Sequence, residues 1–235
     1  MNVKGKHIIV TGGSLGIGKE TAKHLIEKGA KVLVTGRSQE RLDEAFKDEE
    51  CQTIAFDIGD NSHIEGNAKK CLDLLEGRID VLINNAGIGE RKSIEELTMD
   101  SFLKVFNVNV FGLALFTKEL VPIMKAQNGA TIVNIGSTAS LKGYQTGSIY
   151  ASSKFAVRCL TQCWQAELRP HNIRVCQVNP SEVTTAFGSQ ERIERDEVHN
   201  KLTSKEIAHA ITSAIEMDDR GFINELNVWA TNPFN

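Results

Sequence analysis

Short apolar runs and amphipathic stretches alternate along the whole chain, and this alternation limits the folds that the chain can adopt. The runs have the length and β-branched content of buried strands, and the stretches between them show the periodicity of helices. The runs are His7 to Thr11, Lys31 to Thr35, Gln52 to Phe56, Val81 to Asn84, Thr131 to Gly136, Arg174 to Val178 and Phe222 to Val228. The pattern predicts an α/β fold, a doubly wound parallel sheet of about seven strands with helices on both faces. No composition shift or repeat divides residues 1–235, so a single domain is expected.

The first run leads into a glycine-rich turn. Residues 11–18 read Thr-Gly-Gly-Ser-Leu-Gly-Ile-Gly, and helix-forming sequence follows up to Gly29. The next strand comes directly after it, which completes a βαβ unit of the Rossmann type. Glycines in such a turn let the backbone approach a pyrophosphate, whose charge is met by free N–H groups at the start of the helix. For the glycines alone, the alternative is an ordinary tight turn.

The residues after the second run indicate which dinucleotide the chain binds. A Rossmann-type fold that uses NAD normally carries an acidic residue at this point, for the ribose hydroxyls. Here Gly36 is followed by Arg37 and Ser38. A planar cation and a hydroxyl suit a 2'-phosphate, so the sequence predicts NADP(H) as the cofactor. The alternative is that Arg37 is a solvated residue at the start of a helix over residues 38–47.

Tyr150 and Lys154 stand four residues apart, a spacing that places both side chains on one face of a helix. A positive charge close to a phenol favours the phenolate and lowers the pKa of the tyrosine from its usual value of about 10. A phenol tuned in this way can transfer a proton near neutral pH. The alternative is an ordinary pair of surface residues on a helix.

Together these motifs resemble the short-chain dehydrogenase/reductase family. The family's TGxxxGxG matches Thr11, Gly12, Gly16 and Gly18, its NNAG matches Asn84, Asn85, Ala86 and Gly87, and its YxxxK matches Tyr150 and Lys154. The motifs follow one another in the family's order and at its distances, across essentially the whole chain. The resemblance implies an oxidoreductase that transfers a hydride between NADP(H) and a carbonyl or alcohol.

Four catalytic side chains follow from the resemblance. They are Asn109, Ser137, Tyr150 and Lys154. In the family the tyrosine donates a proton to the carbonyl oxygen, the serine hydrogen-bonds that oxygen, and the lysine lowers the pKa of the tyrosine and contacts the nicotinamide ribose. The asparagine holds a water through which the lysine exchanges protons. Thr138 and Asn107 are the neighbouring alternatives to Ser137 and Asn109.

The resemblance also implies a set of cofactor-binding residues. Asp57 matches the family's adenine contact, although an aspartate at a strand end can instead cap the next helix. Thr185 matches the threonine that binds the nicotinamide amide. The full set is Gly12, Ser14, Gly16, Ile17, Gly18, Arg37, Ser38, Asp57, Ile58, Asn84, Ala86, Gly87, Tyr150, Lys154, Pro180, Val183 and Thr185.

Three segments bear on the substrate and the assembly. The family's usual Pro-Gly is Pro180-Ser181 here, which predicts a more restricted backbone near the nicotinamide. Residues 186–201 correspond to the family's substrate lid and are rich in charge, so a solvated helix with pairs such as Glu191 and Arg195 is the alternative. The helices predicted over residues 99–125 and 149–168 correspond to the family's dimer interface. The segment from Asn227 to Asn235 lacks the Gly-Gly of tetrameric oxoacyl reductases, so a homodimer and a homotetramer both remain open.

Composition narrows the partners and the location. The net charge is −3, with 41% hydrophobic and 24% charged residues and no basic run, which argues against nucleic acid. The apolar runs are short for membrane spans, and the first run leads straight into the glycine turn, unlike a signal peptide. A cytoplasmic location without membrane attachment is therefore expected. Five cysteines without a CxxC pair and six scattered histidines predict no disulfide and no metal site.

Three functions are compatible with these features. The leading hypothesis is an NADPH-dependent carbonyl reductase acting on a small ketone or aldehyde. The second is a 3-oxoacyl-(acyl-carrier-protein) reductase, which uses the same chemistry on a thioester substrate. The third is a non-enzymatic regulator that binds NADP, against which the presence of all four catalytic residues argues.

Overall fold

The computed structural model describes residues 1–187 and 193–233. In these residues seven strands form one parallel sheet in the order β3-β2-β1-β4-β5-β6-β7. The strands are β1 (His7–Thr11), β2 (Lys31–Gly36), β3 (Gln52–Ala55), β4 (Val81–Asn84), β5 (Ala130–Ile135), β6 (Ile173–Pro180) and β7 (Glu225–Val228). The strand order reverses between β1 and β4, and a ligand crevice forms at the carboxyl ends of strands at such a point.

Seven α-helices of the described chain cover the two faces of the sheet. They are α1 (Gly16–Glu27), α2 (Gln39–Ala45), α3 (Ile64–Leu74), α4 (Met99–Phe106), α5 (Leu113–Ala126), α6 (Ser148–Leu168) and α7 (Ser204–Glu216). A π-helical turn, Asn107–Gly112, joins α4 to α5 without a break in the helical path.

Two apolar cores lie on opposite faces of the sheet because successive strand residues point to opposite sides. On β1, Ile8 and Val10 belong to the core that includes Leu25 of α1 and Ile211 of α7. Ile9, between them, belongs to the other core, with residues of α3, α5 and α6. Both faces of the central strands are therefore buried, as the continuous apolar runs predict.

The predicted α/β fold is confirmed, with differences at the ends of elements. The last strand begins at Glu225 rather than Phe222, and β6 extends to Pro180. Pro180 is tolerated because it ends its strand, where a missing N–H costs least. The helix predicted from Met99 is helical throughout but contains the π-helical turn, which hydrophobic periodicity does not reveal.

The expectation that no apolar stretch could span a membrane needs a correction. The continuous helix Met99–Ala126 has 28 residues and a mean hydropathy of 1.3 in its most apolar window, 39% of which is buried inside the molecule. By length and composition this helix, found in the described residues, could cross a membrane. Core helices of soluble proteins pass the same test, and the buried Phe116, Leu120 and Met124 pack this helix against the sheet.

Candidate active site

The glycine-rich turn presents bare backbone at the carboxyl end of β1. Gly12 and Gly16 have positive φ angles of 67° and 56°, a region that favours glycine. A Cβ atom on Gly12 would lie 2.7 Å from the Cα of Ala86, and one on Gly18 would lie 2.6 Å from the Gly12 carbonyl oxygen. Side chains at these positions would fill the cradle. Because the first turn of α1 holds no acidic residue, its positive end suits a phosphate group.

Thr11 and Asn85 lock this turn to the end of β4. The Thr11 hydroxyl accepts hydrogen bonds from the backbone N–H groups of Asn85 (3.0 Å) and Ala86 (3.1 Å). In return, the Asn85 side chain donates to the carbonyl oxygens of Thr11 (3.0 Å) and Gly12 (2.9 Å). The two segments that flank the crevice are therefore held in one fixed geometry.

A cationic corner lies at the carboxyl end of β2. Gly36 ends the strand, and the Ser38 side chain caps α2 by accepting a hydrogen bond from the backbone N–H of Arg41. Arg37 and Arg41 are both exposed and line the same cavity. Within the described residues neither guanidinium forms an ion pair, whereas Arg195, which lines the same cavity, lies 3.8 Å from Glu182. Two free guanidinium groups and a hydroxyl fit a 2'-phosphate.

Asp57 borders this corner at the end of β3. Its Oδ1 atom accepts a hydrogen bond of 2.8 Å from the Gly59 backbone. The following 3₁₀ turn, Asn61–His63, is capped by Asp60 instead. Asp57 thus closes its own turn while its exposed carboxylate still lines the cavity.

Ser137 and Tyr150 meet on the opposite side of the crevice. Ser137 follows β5 and caps a short 3₁₀ turn, Thr138–Ser140, and its backbone N–H donates to the Asn179 side chain at 3.2 Å. Tyr150 lies in the first turn of α6. Burial raises the pKa of the Tyr150 phenol, and a hydrogen bond with the Ser137 side chain opposes this rise. The phenol is therefore protonated at neutral pH and beside a second hydroxyl, as a proton donor must be.

Lys154 lies one helical turn further along and is only 4% exposed. Its Nζ atom donates a 2.7 Å hydrogen bond to the Ile135 carbonyl oxygen and lies 5.8 Å from the centroid of the Tyr150 ring. Burial lowers the pKa of Lys154 to about 8. The prediction that Lys154 lowers the pKa of Tyr150 is wrong for this structure. The ammonium is hydrogen-bonded to the Ile135 carbonyl oxygen of β5, and burial raises the pKa of the phenol.

Asn109 occupies the π-helical turn and is fully enclosed. Its side-chain amide exchanges two hydrogen bonds with the backbone of Ile88, both 2.9 Å long, and donates to the Ser153 hydroxyl at 3.0 Å. A Cβ atom on Gly87 would lie 3.4 Å from Asn109 Oδ1 and 3.7 Å from Lys154 Nζ. The bare backbone at Gly87 therefore leaves space beside both the amide and the ammonium.

One cavity of about 1340 Å³ joins these features. It brings together the glycine turn, the cationic corner, Asp57 and Ile58, the Ala86-Gly87 segment, Ser137, Tyr150, Lys154 and the segment from Pro180 to Thr185. Three predicted residues, Gly18, Asn84 and Asn109, do not line it. The Asn84 side chain is buried and donates hydrogen bonds to Thr117 and Asn134. Gly18 and Asn109 contact residues that line the cavity, Gly18 at Gly12 and Asn109 at Ile88.

A family model described as short chain dehydrogenase matches residues 6–196. This match covers most of the chain, including the glycine turn and the Tyr150–Lys154 pair. The chain belongs to the short-chain dehydrogenase family. The predicted family, and with it the prediction of an oxidoreductase, is thereby confirmed.

Relatives of this short-chain dehydrogenase include an uncharacterized oxidoreductase of Thermotoga maritima, 35% identical, covering 95% of this chain and 94% of the relative. A 3-oxoacyl-[acyl-carrier-protein] reductase of the same organism is 34% identical over 79% of this chain and 77% of its own length. Among solved structures, an alcohol dehydrogenase from the archaeon Thermococcus sibiricus, complexed with 5-hydroxy-NADP, superposes with a TM-score of 0.88. That structure is 26% identical and covers 96% of this chain and 97% of its own.

The structure adds site residues that sequence reasoning missed. Asn85 stands inside the recognised NNAG motif, but only its three hydrogen bonds to Thr11 and Gly12 show what it does. Arg41 lies three residues after the capping Ser38, and this spacing on the first turn of a helix is the signal that could have identified it. Arg91, Lys142 and Tyr144 line the cavity from loops, where no periodicity marks them.

The Pro180-Ser181 departure from the family is accommodated without strain. Ser181, which is among the described residues, does not have a positive φ angle. Its backbone N–H donates to the Val228 carbonyl oxygen at 2.9 Å. The backbone at this point therefore does not need glycine. Ser181 lines the cavity and adds a hydroxyl to the wall beside Pro180.

The segment expected to form the lid is described only in part, because residues 188–192 lie outside the described chain. Glu191 is one of these residues, so the expected pair of Glu191 and Arg195 lies outside the described chain. Phe187 packs on Tyr150 with ring centroids 5.4 Å apart. Arg195 donates to the carbonyl oxygens of Thr185 (3.0 Å) and Val183 (2.8 Å), so the second half of the segment is bound to the cavity wall that these two residues form.

Proposed function

We propose that this protein reduces the carbonyl group of a small substrate to an alcohol with NADPH. The observation that carries the proposal is the single cavity in which Ser137, Tyr150 and Lys154 face the glycine turn and the cationic corner. When bound, NADPH supplies the hydride. The protein binds and orients both reactants and supplies the proton.

The four side chains have distinct roles in this proposal. Tyr150, a phenol whose pKa is raised by burial, donates its proton to the carbonyl oxygen. Ser137 adds a second hydroxyl that holds this oxygen in place. Lys154, with a pKa of about 8, can change its protonation state near neutral pH and returns a proton toward the tyrosine. Asn109 fixes the loop at Ile88 through its paired hydrogen bonds.

The cofactor in this proposal is NADP(H) rather than NAD(H). Support comes from Arg37, Arg41 and Ser38, which follow β2 and line the cavity, and from Gly36, which ends β2 in place of an acidic residue. The Thermococcus alcohol dehydrogenase, crystallised with 5-hydroxy-NADP, supports the same choice.

A 3-oxoacyl-(acyl-carrier-protein) reductase is the second candidate. It is favoured by the Thermotoga relative of that name and by the openness of the cavity wall at the exposed Tyr144 and Trp229. A non-enzymatic regulator is less well supported, because binding of the cofactor alone does not require a phenol and a second hydroxyl hydrogen-bonded in the same cavity.

The test compares two tyrosine variants, Tyr150→Phe and Tyr144→Phe, with a panel of aldehydes, ketones and an oxoacyl thioester. The chain has two tyrosines, and both line the cavity, so the second variant is a matched control. Tyr150→Phe should lower kcat/KM by about a hundredfold or more while NADPH still binds. Tyr144→Phe leaves Tyr150 in place as the proton donor, so its kcat/KM should stay far above that of Tyr150→Phe. Oxidation of NADPH by Tyr150→Phe at the parent rate would contradict the proposal.

We also propose a cytoplasmic homodimer or homotetramer with a small-molecule substrate. Apolar residues are exposed on α4 to α6, namely Leu103, Phe111, Leu115 and Phe155, and they suit contact with a second copy. Leu115→Glu should shift the sedimentation coefficient toward that of a monomer. Leu74→Glu, on the exposed surface of α3, is the control and should not. A parent protein that sediments as a monomer would contradict the assembly.

A further inference from the structure

The mouth of the cavity near Tyr150 carries cations without carboxylate partners. Arg91 and Lys142 are exposed, line the cavity and form no ion pair within the described chain. The carboxylates of the same wall are already paired. Glu90 lies 3.1 Å from Lys104, and Glu182 lies 2.6 Å from Lys201. The wall therefore presents a net positive charge in a protein whose net charge is −3.

The Arg91 side chain is oriented rather than freely solvated. Its guanidinium carbon lies 5.6 Å from the centroid of the Tyr144 ring, an arrangement that holds the cation over the aromatic face. The backbone around it is also tied down, because the Lys92 N–H donates to the Thr146 carbonyl oxygen at 3.1 Å. A planar guanidinium in a fixed orientation is suited to bidentate binding of an oxyanion.

The chain just before Arg91 lies against the proton donor. A Cβ atom on Gly89, two residues earlier, would lie 3.7 Å from the Tyr150 ring. Arg91 and Tyr150 line the same cavity, and two residues of extended chain span about 7 Å. A substrate whose carbonyl meets Tyr150 can thus place a group a few bonds away beside Arg91.

We propose that the substrate is an anionic carbonyl compound whose carboxylate or phosphate group binds Arg91, assisted by Lys142. This inference rests on the proposed carbonyl reduction and names its substrate class. A charge-assisted contact of this kind corresponds to about ten- to a hundredfold in kcat/KM.

The test uses substrates matched except for charge. The pairs are 4-oxobutanoate with its methyl ester, and glyceraldehyde 3-phosphate with glyceraldehyde, so the two arms distinguish a carboxylate from a phosphate. In at least one pair the anion should have a kcat/KM about tenfold higher. In Arg91→Gln this ratio should fall by about tenfold. Arg220→Gln removes an exposed arginine remote from the cavity and should leave the ratio unchanged.

The outcomes separate the two claims. Turnover of neutral and anionic members at equal kcat/KM would overturn the anionic substrate and leave carbonyl reduction intact, as would an unchanged ratio in Arg91→Gln. No turnover of any carbonyl compound would overturn the proposed function itself, and this inference with it.

A second inference rests on a different contact, at the glycine turn. The Glu194 carboxylate accepts a 2.9 Å hydrogen bond from the backbone N–H of Gly16, the first residue of α1. The neighbouring Arg195 anchors this segment to Thr185 and Val183. A carboxylate of the lid thus lies at the amide where the glycine turn would receive a phosphate.

We infer that Glu194 competes with the cofactor's pyrophosphate for the Gly16 amide. One N–H cannot serve two anions, and their charges repel, so cofactor binding has to displace the Glu194 carboxylate from Gly16. The contact between Glu194 and Gly16 is thus a latch that the dinucleotide replaces. This inference rests on the proposed binding of NADPH.

Titration of the protein with NADPH, followed by nicotinamide fluorescence, tests the latch. Glu194→Ala should lower the Kd for NADPH by about three- to tenfold, because the competing anion is gone. Glu197→Ala removes another exposed carboxylate of the same segment and should match the parent. An unchanged or higher Kd in Glu194→Ala would overturn the latch, whereas a parent that binds no NADPH would overturn the proposed cofactor.

Discussion

At the scale of single residues, Lys154 shows how the site lowers the stability of the fold. Its side chain is buried, and its ammonium has one described hydrogen bond, to the Ile135 carbonyl oxygen. Burial lowers the pKa of Lys154 from 10.5 to about 8, so the folded protein disfavours the charged form. The same shift brings the titration of Lys154 to a pH at which it can exchange protons.

The cost of this buried charge should appear in the pH dependence of stability. Between pH 8 and 10.5 the unfolded chain binds more protons than the folded one, so the free energy of unfolding gains a rising contribution. The penalty is fully present below about pH 8 and disappears toward pH 10.5. Relative to Lys154→Met, the parent should therefore gain about 3 kcal/mol across this range.

Denaturant titrations of both proteins at pH 7 to 10 measure this difference. Lys125→Met, an exposed lysine on α5, is the control and should follow the parent. If the difference in unfolding free energy between the parent and Lys154→Met did not change with pH, the lowered pKa of Lys154 would be contradicted.

Arg37 and Arg41 should together determine the choice of cofactor. Arg37→Gln should lower kcat/KM for NADPH by about ten- to a hundredfold through the lost contact with the 2'-phosphate. Arg41→Gln should have a smaller effect in the same direction, and the double variant the largest. NADH serves as the internal control, since it lacks the phosphate. Higher kcat/KM of the parent with NADH would contradict this prediction.

At the scale of elements, the π-helical turn between α4 and α5 positions the interior of the site. The wider turn places the Asn109 side chain against the Ile88 backbone. Gly112, at the end of the turn, packs against Ile58 in the segment that follows β3. A Cβ atom on Gly112 would collide with the Ile58 carbonyl oxygen and lie 2.8 Å from that of Asn107. Insertions of this kind are frequent at functional sites because they redirect one side chain within a long helix.

Gly112→Ala should therefore disturb the site through the backbone. We expect lower kcat and a lower Tm, because Asn109 and the Ile58 segment cannot both keep their positions. Gly66→Ala, on α3, is the matched control: its Cβ would meet no atom within 4 Å, and alanine favours a helix. Thermal melts and initial rates of both variants test this prediction. Equal Tm and kcat values in Gly112→Ala and Gly66→Ala would contradict a tightly packed turn.

At the scale of the whole molecule, the two ends of the sheet have different tasks. The carboxyl ends carry the cavity, while Asp80 ties the chain together at the other end, just before β4. Its carboxylate, 6% exposed, accepts hydrogen bonds from the His7 backbone at 2.9 Å and from Arg78 at 2.7 Å, and lies 3.3 Å from the Lys6 ammonium. Burial alone would raise the pKa of Asp80, but these partners lower it to about 2.

Asp80→Asn should weaken the fold without reaching the site. Its contribution is present above the usual aspartate pKa of about 3.9 and is lost as the pH falls toward 2. The variant should lose roughly 2 kcal/mol of unfolding free energy at pH 7, and the difference from the parent should shrink in acid. Asp48→Asn, exposed and outside any described ion pair, is the control. A loss that does not vary with pH would contradict the role of the charge.

The sequence by itself determined the fold class, the family and most of the site. Strands without polar interruptions must be buried on both faces, and alternating helices then require a parallel sheet whose carboxyl ends converge. Gly12, Arg37 and Ser137 each follow such an end, so their meeting could be predicted from strand boundaries, whereas Tyr150 lies on α6 and was predicted from its match to the family's YxxxK motif.

Only the tertiary structure decided the finer arrangement of the site. Whether Lys154 faces the phenol or the Ile135 carbonyl, and whether Asn84 or Asn85 faces the crevice, depends on packing between segments far apart in the chain. The same holds for the pKa of Tyr150, which burial raises, and for the contact of Glu194 with Gly16. Local patterns report which way one element faces, but desolvation and contacts between distant loops arise only when the elements are assembled.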